Sequence, residues 1–172
     1  MMNLHTLVLG GIRSGKSARA ETLAAAHGAP VIYVATATAG DEEMAIRIRQ
    51  HRERRPDSWG LIEAPLRLAE VLAGQSRQHP PVLLVDCMSL WLSNLMHTGE
   101  TVFTRERAAF LAELADYSGP VVIVSNEVGF GTIAMDPLTR RFCDQLGWLN
   151  QDLAAHCSSV VMTVAGLSLN LK

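Results

Sequence analysis

The stretch Gly10-Gly11-Ile12-Arg13-Ser14-Gly15-Lys16-Ser17 fits the spacing GxxxxGK[ST], and it lies between an apolar run, Thr6 to Leu9, and a helical pattern, Ser17 to His27. Glycines let successive backbone N–H groups turn inward around an anion, where a bulkier residue would not. The helix that follows offers its positive end to the same anion. A strand that hands over to a helix across such a loop is a phosphate cradle, with Lys16 aimed at the β- and γ-phosphates of a nucleotide and Ser17 at Mg2+. The alternative is a glycine-rich turn with a surface lysine, and the flanking strand and helix argue against it.

The rest of the chain alternates in the same way. Val31 to Ala35 reads as a second buried strand, and Asp41 to Arg55 as a helix with an acidic start and a basic end, stopped by Pro56. Helices are expected over Leu66–Ala73, Ser89–Met96, Thr104–Ala115 and Pro137–His156. Strands are expected over Val82–Val85, closed by Asp86, and over Val121–Ser125. Val160–Val164 and Leu167–Leu171 read as a closing hairpin with Ala165-Gly166 as its tight turn. Fully apolar strands alternating with helices imply an α/β fold with a mainly parallel sheet covered on both faces, and the hairpin adds an antiparallel C-terminal edge strand. Ligands of such sheets bind at the carboxyl ends of the strands, so Gly10 to Ser17, Thr36, Asp86 and Asn126-Glu127 are the residues to inspect. Asp86, at the tip of Val82-Leu83-Leu84-Val85, is placed to hold the metal directly or through water.

A length of 172 residues suits one domain, here a nucleotide-binding catalytic domain spanning the chain. A net charge of −2 gives no general attraction to nucleic acid or anionic membrane. No apolar stretch reaches the roughly 18 residues needed for a membrane span, and Met1 to Gly10 lacks the basic region and long apolar run of a leader. Cys87, Cys143 and Cys157 show no CxxC spacing and read as reduced thiols in a cytoplasmic protein.

The segment Arg47-Ile48-Arg49-Gln50-His51-Arg52-Glu53-Arg54-Arg55-Pro56 is the other unusual feature. On a helix, Arg47, Arg54 and Arg55 share a face with His51. Surrounding cations disfavour a protonated imidazole, and a nucleophilic histidine must be neutral. Guanidinium groups can grip phosphates in a forked fashion. A triphosphate loop, arginines and a neutral histidine together suggest attack on phosphorus. A solvated basic helix end with an ordinary surface histidine is the alternative on residue chemistry alone.

Several blocks carry a resemblance that covers nearly the whole chain: GGIRSGKSARAE, YVATA, DEEMAIRIRQHRERRP, LLVDCMSLWLSNLM, VSNEVGFGTIAMDPLTRRFCDQLGWLNQDLAA and VAGLSLNLK. The sequence resembles the bifunctional adenosylcobinamide kinase / adenosylcobinamide-phosphate guanylyltransferase family of cobalamin biosynthesis. The loop is shared by many families, whereas RIRQHRERRP and SNEVGFG are specific to this one. The resemblance implies a RecA-like P-loop fold and a homotrimer with sites between subunits, while the charge balance argues for no nucleic-acid partner. It implies two reactions: a nucleoside triphosphate, ATP or GTP, phosphorylates adenosylcobinamide, and GTP then guanylylates a histidine that passes GMP to the cobinamide phosphate. The nucleophilic histidine maps onto His51, with Gln50 where some relatives carry a second histidine. The nucleotide contacts map onto Gly10, Gly11, Ile12, Arg13, Ser14, Gly15, Lys16, Ser17, Val34, Ala35, Thr36, Arg52, Glu53, Arg54, Arg55, Glu63 and Asp86. Lys16 joins His51 as a catalytic residue, and Ser17 and Asp86 are the Mg2+ ligands.

Glu127 is a candidate base or metal-shell residue, or else a cap for the loop that follows. Trp59, Trp91 and Trp148 are expected to pack in the core, with contact to the corrin or a partner subunit as the alternative, and Arg140 and Arg141 to lie on a solvated helix face. Two further readings remain at this level. A single-activity small-molecule kinase needs the loop and Asp86 but not His51. A RecA-like nucleotide switch would act on a partner, yet the chain lacks the basic stripes of a DNA-binding filament.

Overall fold

A computed structural model describes residues 4–38, 40, 42, 46, 49, 52–53, 55–131 and 134–172. The elements run β1 (Thr6–Gly10), α1 (Lys16–Ala26), β2 (Val31–Ala35), β3 (Gly60–Glu63), α2 (Leu68–Ala73), β4 (Val82–Asp86), α3 (Met88–Met96), α4 (Glu100–Asp116), β5 (Val121–Asn126), α5 (Pro137–His156), β6 (Ser159–Val164) and β7 (Leu167–Asn170). Between β2 and β3, Glu42, Ile46, Arg49, Arg52 and Glu53 are helical and exposed.

The described strands join one sheet in the order β3-β2-β4-β5-β1-β6-β7. Every neighbouring pair is parallel except β6 with β7. Alternation along each strand sorts the side chains into two layers. On one face Leu7, Leu9, Val34, Leu83, Val85 and Ile123 pack under α2 to α5, around the wholly buried Trp91 and Phe110, whose rings are 5.2 Å apart. On the other, Val8, Tyr33, Leu84, Val122 and Val124 pack against Ala20 and Ala24 of α1, with Trp59 at the margin. Alanines let α1 lie close to the sheet, which seats its first turn against the strand tips.

The ends of α5 follow its local chemistry. Asp136 accepts hydrogen bonds from the Thr139 N–H at 2.7 Å and its hydroxyl at 2.6 Å, and these bonds hold the carboxyl below its usual range. Pro137 occupies the first turn, where no N–H is missed. Arg141 lies on the expected solvated face, exposed and paired with the exposed Glu100, whereas Arg140 is half-buried and donates to the carbonyls of Ala134 and Met135. Trp148 is 54% exposed and not a core residue, because it sits one position off the buried stripe of Leu146, Leu149 and Leu153.

One strand was not anticipated. β3 has four residues, three of them exposed, and it pairs only with β2. An edge strand this short leaves almost no apolar alternation to read. The closing turn is as expected: Ala165 at φ 52° and Gly166 at φ 80° both take the positive φ that a two-residue hairpin favours. An alanine there costs about 1–2 kcal/mol against an ordinary conformation. Ala165→Asn, a residue that visits this region readily, is expected to stabilise the fold by about 0.5 kcal/mol and raise the thermal midpoint by about 1–2 °C. A lowered midpoint in a thermal melt would contradict that account of the turn.

Candidate functional site

The glycine-rich loop rises from the tip of β1, where Gly10 lies between Asn126 of β5 and Thr163 of β6. A Cβ on Gly10 would stand 2.6 Å from the Thr163 carbonyl oxygen and 2.4 Å from Ser14 Oγ, so only glycine lets the loop fold back here. Arg13 and Gly15 both take positive φ, 55° and 93°, and bend the chain into the first turn of α1. The Lys16 ammonium donates to the Gly11 carbonyl at 3.1 Å and spans the loop. Gly15 caps α1 without a side-chain hydrogen bond, which leaves the first N–H groups of the helix to an external acceptor.

The C-terminal hairpin braces the loop from outside. The Gly166 N–H donates to the Ser14 carbonyl at 2.8 Å. A Cβ on Gly15 would approach Gly166 Cα to 3.3 Å. Ser14 Oγ, Thr163 Oγ1 and Asn126 Oδ1 are buried with no hydrogen-bond partner among the described residues. Polar atoms orphaned together around one glycine loop suit a site that expects a polar ligand.

Two strands away, Asp86 ends β4 on the face that carries α1, since Leu84 faces that way and Asp86 follows two residues later. Burial first and then the Asp86 charge push the thiol of the neighbouring Cys87 up. Cys87 therefore behaves as a core residue. Tyr33 is 4% exposed and pairs in register with Leu84 of β4, two residues before Asp86 and on the same face. Burial first and the Asp86 charge second push its phenol far above the usual value and keep it protonated. The Arg55 guanidinium lies 3.6 Å from the centre of the Tyr33 ring.

The strand tips are tied together by buried polar bonds. Thr36 Oγ1 accepts from the Cys87 N–H at 2.8 Å and donates to the Cys87 carbonyl at 2.7 Å. Asn94 donates to the carbonyls of Thr36 and Pro65 at 2.9 and 3.0 Å. Asn150 accepts from the Ser125 hydroxyl and donates to the Asn126 carbonyl.

The structure thus brings Gly10 to Ser17 and Asp86 to one edge of the sheet, with Ala35 and Thr36 beside Asp86. Val34 is wholly buried on the opposite face, so its side chain belongs to the core. Arg55 departs from the expected helical face. It lies in a bend, its N–H donating to the Arg52 carbonyl, because the following Pro56 disfavours helical backbone. His51 and Arg54 lie outside the described residues, and Arg52 and Glu53 are exposed. Glu63 ends β3, four strand positions from Gly10, which is about 19 Å at ordinary strand spacing. It borders a cavity of about 510 Å³ with Ile62, Pro65, Leu66 and Val71. Glu127 accepts from the Gly129 N–H at 3.0 Å and so caps its own loop. Tyr33 and Asn94 were missed, since a tyrosine inside an apolar strand signals burial and nothing local marks its contact with Arg55 or the carbonyls that Asn94 reaches.

Among the described residues no three His, Cys, Asp or Glu side chains gather into a metal cage. Mg2+ is ordinarily held by one or two protein oxygens with phosphate and water completing the octahedron. A serine hydroxyl at the start of α1 and the Asp86 carboxylate fit that pattern.

The profile of the family described as "Cobinamide kinase / cobinamide phosphate guanyltransferase" matches residues 6–171. The chain belongs to this family. The bifunctional adenosylcobalamin biosynthesis protein CobP of Pseudomonas aeruginosa is 46% identical over 170 residues, 98% of each chain. The CobU protein of Escherichia coli is 34% identical over 180 residues, 96% of this chain and 98% of its own. Among solved structures, flagellar accessory protein FlaH from Methanocaldococcus jannaschii superposes with a TM-score of 0.53 at 13% identity, covering 98% of this chain and 77% of that one. The RadB recombinase does so with a TM-score of 0.53 at 16% identity, covering 92% and 73%. These likenesses concern the fold alone, and the cobinamide kinase / guanyltransferase family has here a RecA-like P-loop fold.

The loop geometry makes a sharp contrast within two residues. Gly10→Ala is expected to displace the loop and weaken nucleotide binding by tenfold or more, whereas Gly11→Ala, with nothing within 4 Å of its Cβ, is expected to bind within about twofold of wild type. Titration with a fluorescent GTP analogue checks this, and equal losses in both variants would contradict the close-packing account of Gly10.

Proposed function

We propose that this chain phosphorylates adenosylcobinamide with a nucleoside triphosphate, then joins GMP from GTP to the product through a histidine–GMP intermediate, giving adenosylcobinamide-GDP. The observation that carries the reading is the glycine loop and Asp86 at the carboxyl ends of strands in one sheet, in a chain of the cobinamide kinase / guanyltransferase family. In the first reaction the aminopropanol hydroxyl attacks the γ-phosphorus. The N–H groups of the loop and Lys16 hold the phosphates and offset the charge that shifts toward the leaving diphosphate. Bound Mg2+, held by Ser17 and Asp86, would add further neutralisation of the phosphate oxygens.

In the second reaction a neutral nitrogen of His51 attacks the α-phosphorus of GTP. An N–P bond forms, the bridge from the α- to the β-phosphate breaks, and pyrophosphate leaves. A phosphate oxygen of the cobinamide phosphate then attacks the same phosphorus, which breaks the N–P bond and returns the histidine. Arg52, Arg54 and Arg55 stabilise the charge on the phosphates. The reading places this work in the cytoplasm, which three free thiols support. No helix among the described residues is long and apolar enough to cross a membrane.

Incubation with α-labelled GTP should leave label on the protein, acid-labile and base-stable, while γ-labelled GTP leaves none. In His51→Ala the label should fall to background. Unlabelled wild type with intact kinase activity would favour the single-activity kinase reading instead.

The trimer belongs to the same proposal. β7 is the antiparallel edge of the sheet, and Leu167, Leu169 and Leu171 lie on one of its faces, 56% to 76% exposed. Val164, opposite Leu167, extends the stripe at 59% exposed. An apolar edge strand of this kind calls for cover. Leu169→Asp should convert a particle of three chains into a single 18.7 kDa chain in sedimentation velocity, with the fold kept. An unchanged mass would move the subunit contact elsewhere.

A further inference from the structure

The phosphate loop is a run of peptide units, and a triphosphate is held by the direction in which their N–H groups point. In a trans peptide the C=O of one residue and the N–H of the next point to opposite sides. The Gly166 N–H, in the turn of the C-terminal hairpin, donates to the Ser14 carbonyl at 2.8 Å. We propose that this turn is a positioning element of the phosphate site: by drawing the Ser14 carbonyl toward the hairpin, it turns the Gly15 N–H the other way, into the loop and onto the phosphates. The inference deepens the nucleotide reading of the loop given above and rests on it.

Local sterics leave this peptide unit undecided. The residues on either side of Ser14, Arg13 and Gly15, have positive φ, 55° and 93°. Glycine takes either sign of φ at little cost, so the unit between Ser14 and Gly15 is free to turn over unless a bond holds it. Side chains do not supply that bond: Ser14 Oγ and Thr163 Oγ1 are buried and have no hydrogen-bond partner among the described residues. Among the described residues nothing accepts from the Gly15 N–H, which leaves that donor to a ligand. A cradle whose donors already face the anion loses less affinity to reorganisation.

The turn is well placed to act on the loop. Ala165 and Gly166 hold φ of 52° and 80°. A Cβ on Gly15 would stand 3.3 Å from Gly166 Cα, so turn and loop are in close contact. β6 leads into the turn and β1 into the loop, and the two strands pair with Thr163 opposite Gly10. Both segments therefore leave the sheet from one fixed pair of residues, with little slack between them. A Cβ on Gly166 itself would meet nothing within 4 Å, so what Gly166 supplies is a backbone conformation and not space.

Substitutions at Gly166 separate conformation from bulk. Gly166→Ala adds one methyl in open space but resists a φ of 80°, whereas Gly166→Asn adds a larger side chain that visits this region readily. The probe is inorganic triphosphate in competition with a fluorescent GTP analogue, which reads the loop apart from any contact to the base. Its affinity should fall about threefold to tenfold in Gly166→Ala and return to within about twofold of wild type in Gly166→Asn. A full-length chain with an ester in place of the Gly166 amide, made by ligating a synthetic 157–172 segment at Cys157, lacks only the donor. It should lose as much affinity as Gly166→Ala, compared with an all-amide chain made the same way. In the wild type, triphosphate should slow hydrogen exchange of the Gly166 amide by a similar factor, because bond and ligand support one another reciprocally. A bond that merely shapes the fold would exchange at one rate with and without triphosphate. Wild-type affinity in the ester chain, or exchange at Gly166 that ignores triphosphate, overturns the inference, and the exchange measurement stands even where the variants fail to fold. A wild type that binds no triphosphate would overturn the nucleotide reading and this inference together.

Discussion

The close approach of backbones at Gly10 is the constraint on which the nucleotide side of this fold depends. Three strand tips meet there, and the space a methyl group would need is taken by the Thr163 carbonyl and the Ser14 side chain. Because nothing projects from Gly10, the chain can turn back over β6 and accept the Gly166 N–H on the Ser14 carbonyl. The first turn of α1 then points its unpaired N–H groups at the space above the loop. The C-terminal hairpin, far away in sequence, is thus part of the wall of the phosphate site.

The remaining strand tips form a platform held by polar bonds more than by apolar packing. Thr36 clasps both main-chain groups of Cys87, Asn94 joins the tip of β2 to the residues after β3, and Asn150 links the end of β5 to α5. Such buried bonds contribute about 1 kcal/mol each when made and leave a larger cost when one partner is lost, so they define position as well as stability. A platform of this kind suits phosphoryl transfer, where placement and charge neutralisation matter more than covalent work by the protein. The described part of the chain that carries the arginines meets this platform through Arg55 on Tyr33 and Trp59 on the core.

The architecture was legible where chemistry is local. The bounds of α5 follow from Asp136, Pro137 and an apolar stripe, the hairpin turn from Ala165-Gly166, and the core strands from unbroken apolar runs. β3 was not legible, because four mostly exposed residues at a sheet edge have no periodicity to show. The helical face expected to join Arg55 to its neighbours failed at Pro56, a local signal whose reach extends one residue back. Trp148 missed the core by one position on its helix, a rotation that an apolar pattern resolves poorly.

The amino-acid order alone determined that a glycine loop would sit between a strand and a helix, that an acidic residue would close another apolar strand, and that the sheet would be mainly parallel. Each of these depends on residues within a few positions of one another, where backbone conformation and side-chain period are set. Only the tertiary structure decided that Thr36 would meet Cys87, 51 residues away, that Arg55 would lie over the Tyr33 ring, and that Glu63 would stand at the far edge of the sheet from the loop. Those pairings follow from the order β3-β2-β4-β5-β1-β6-β7, which is settled by how helices cover two faces at once, and no short stretch of chain contains that information.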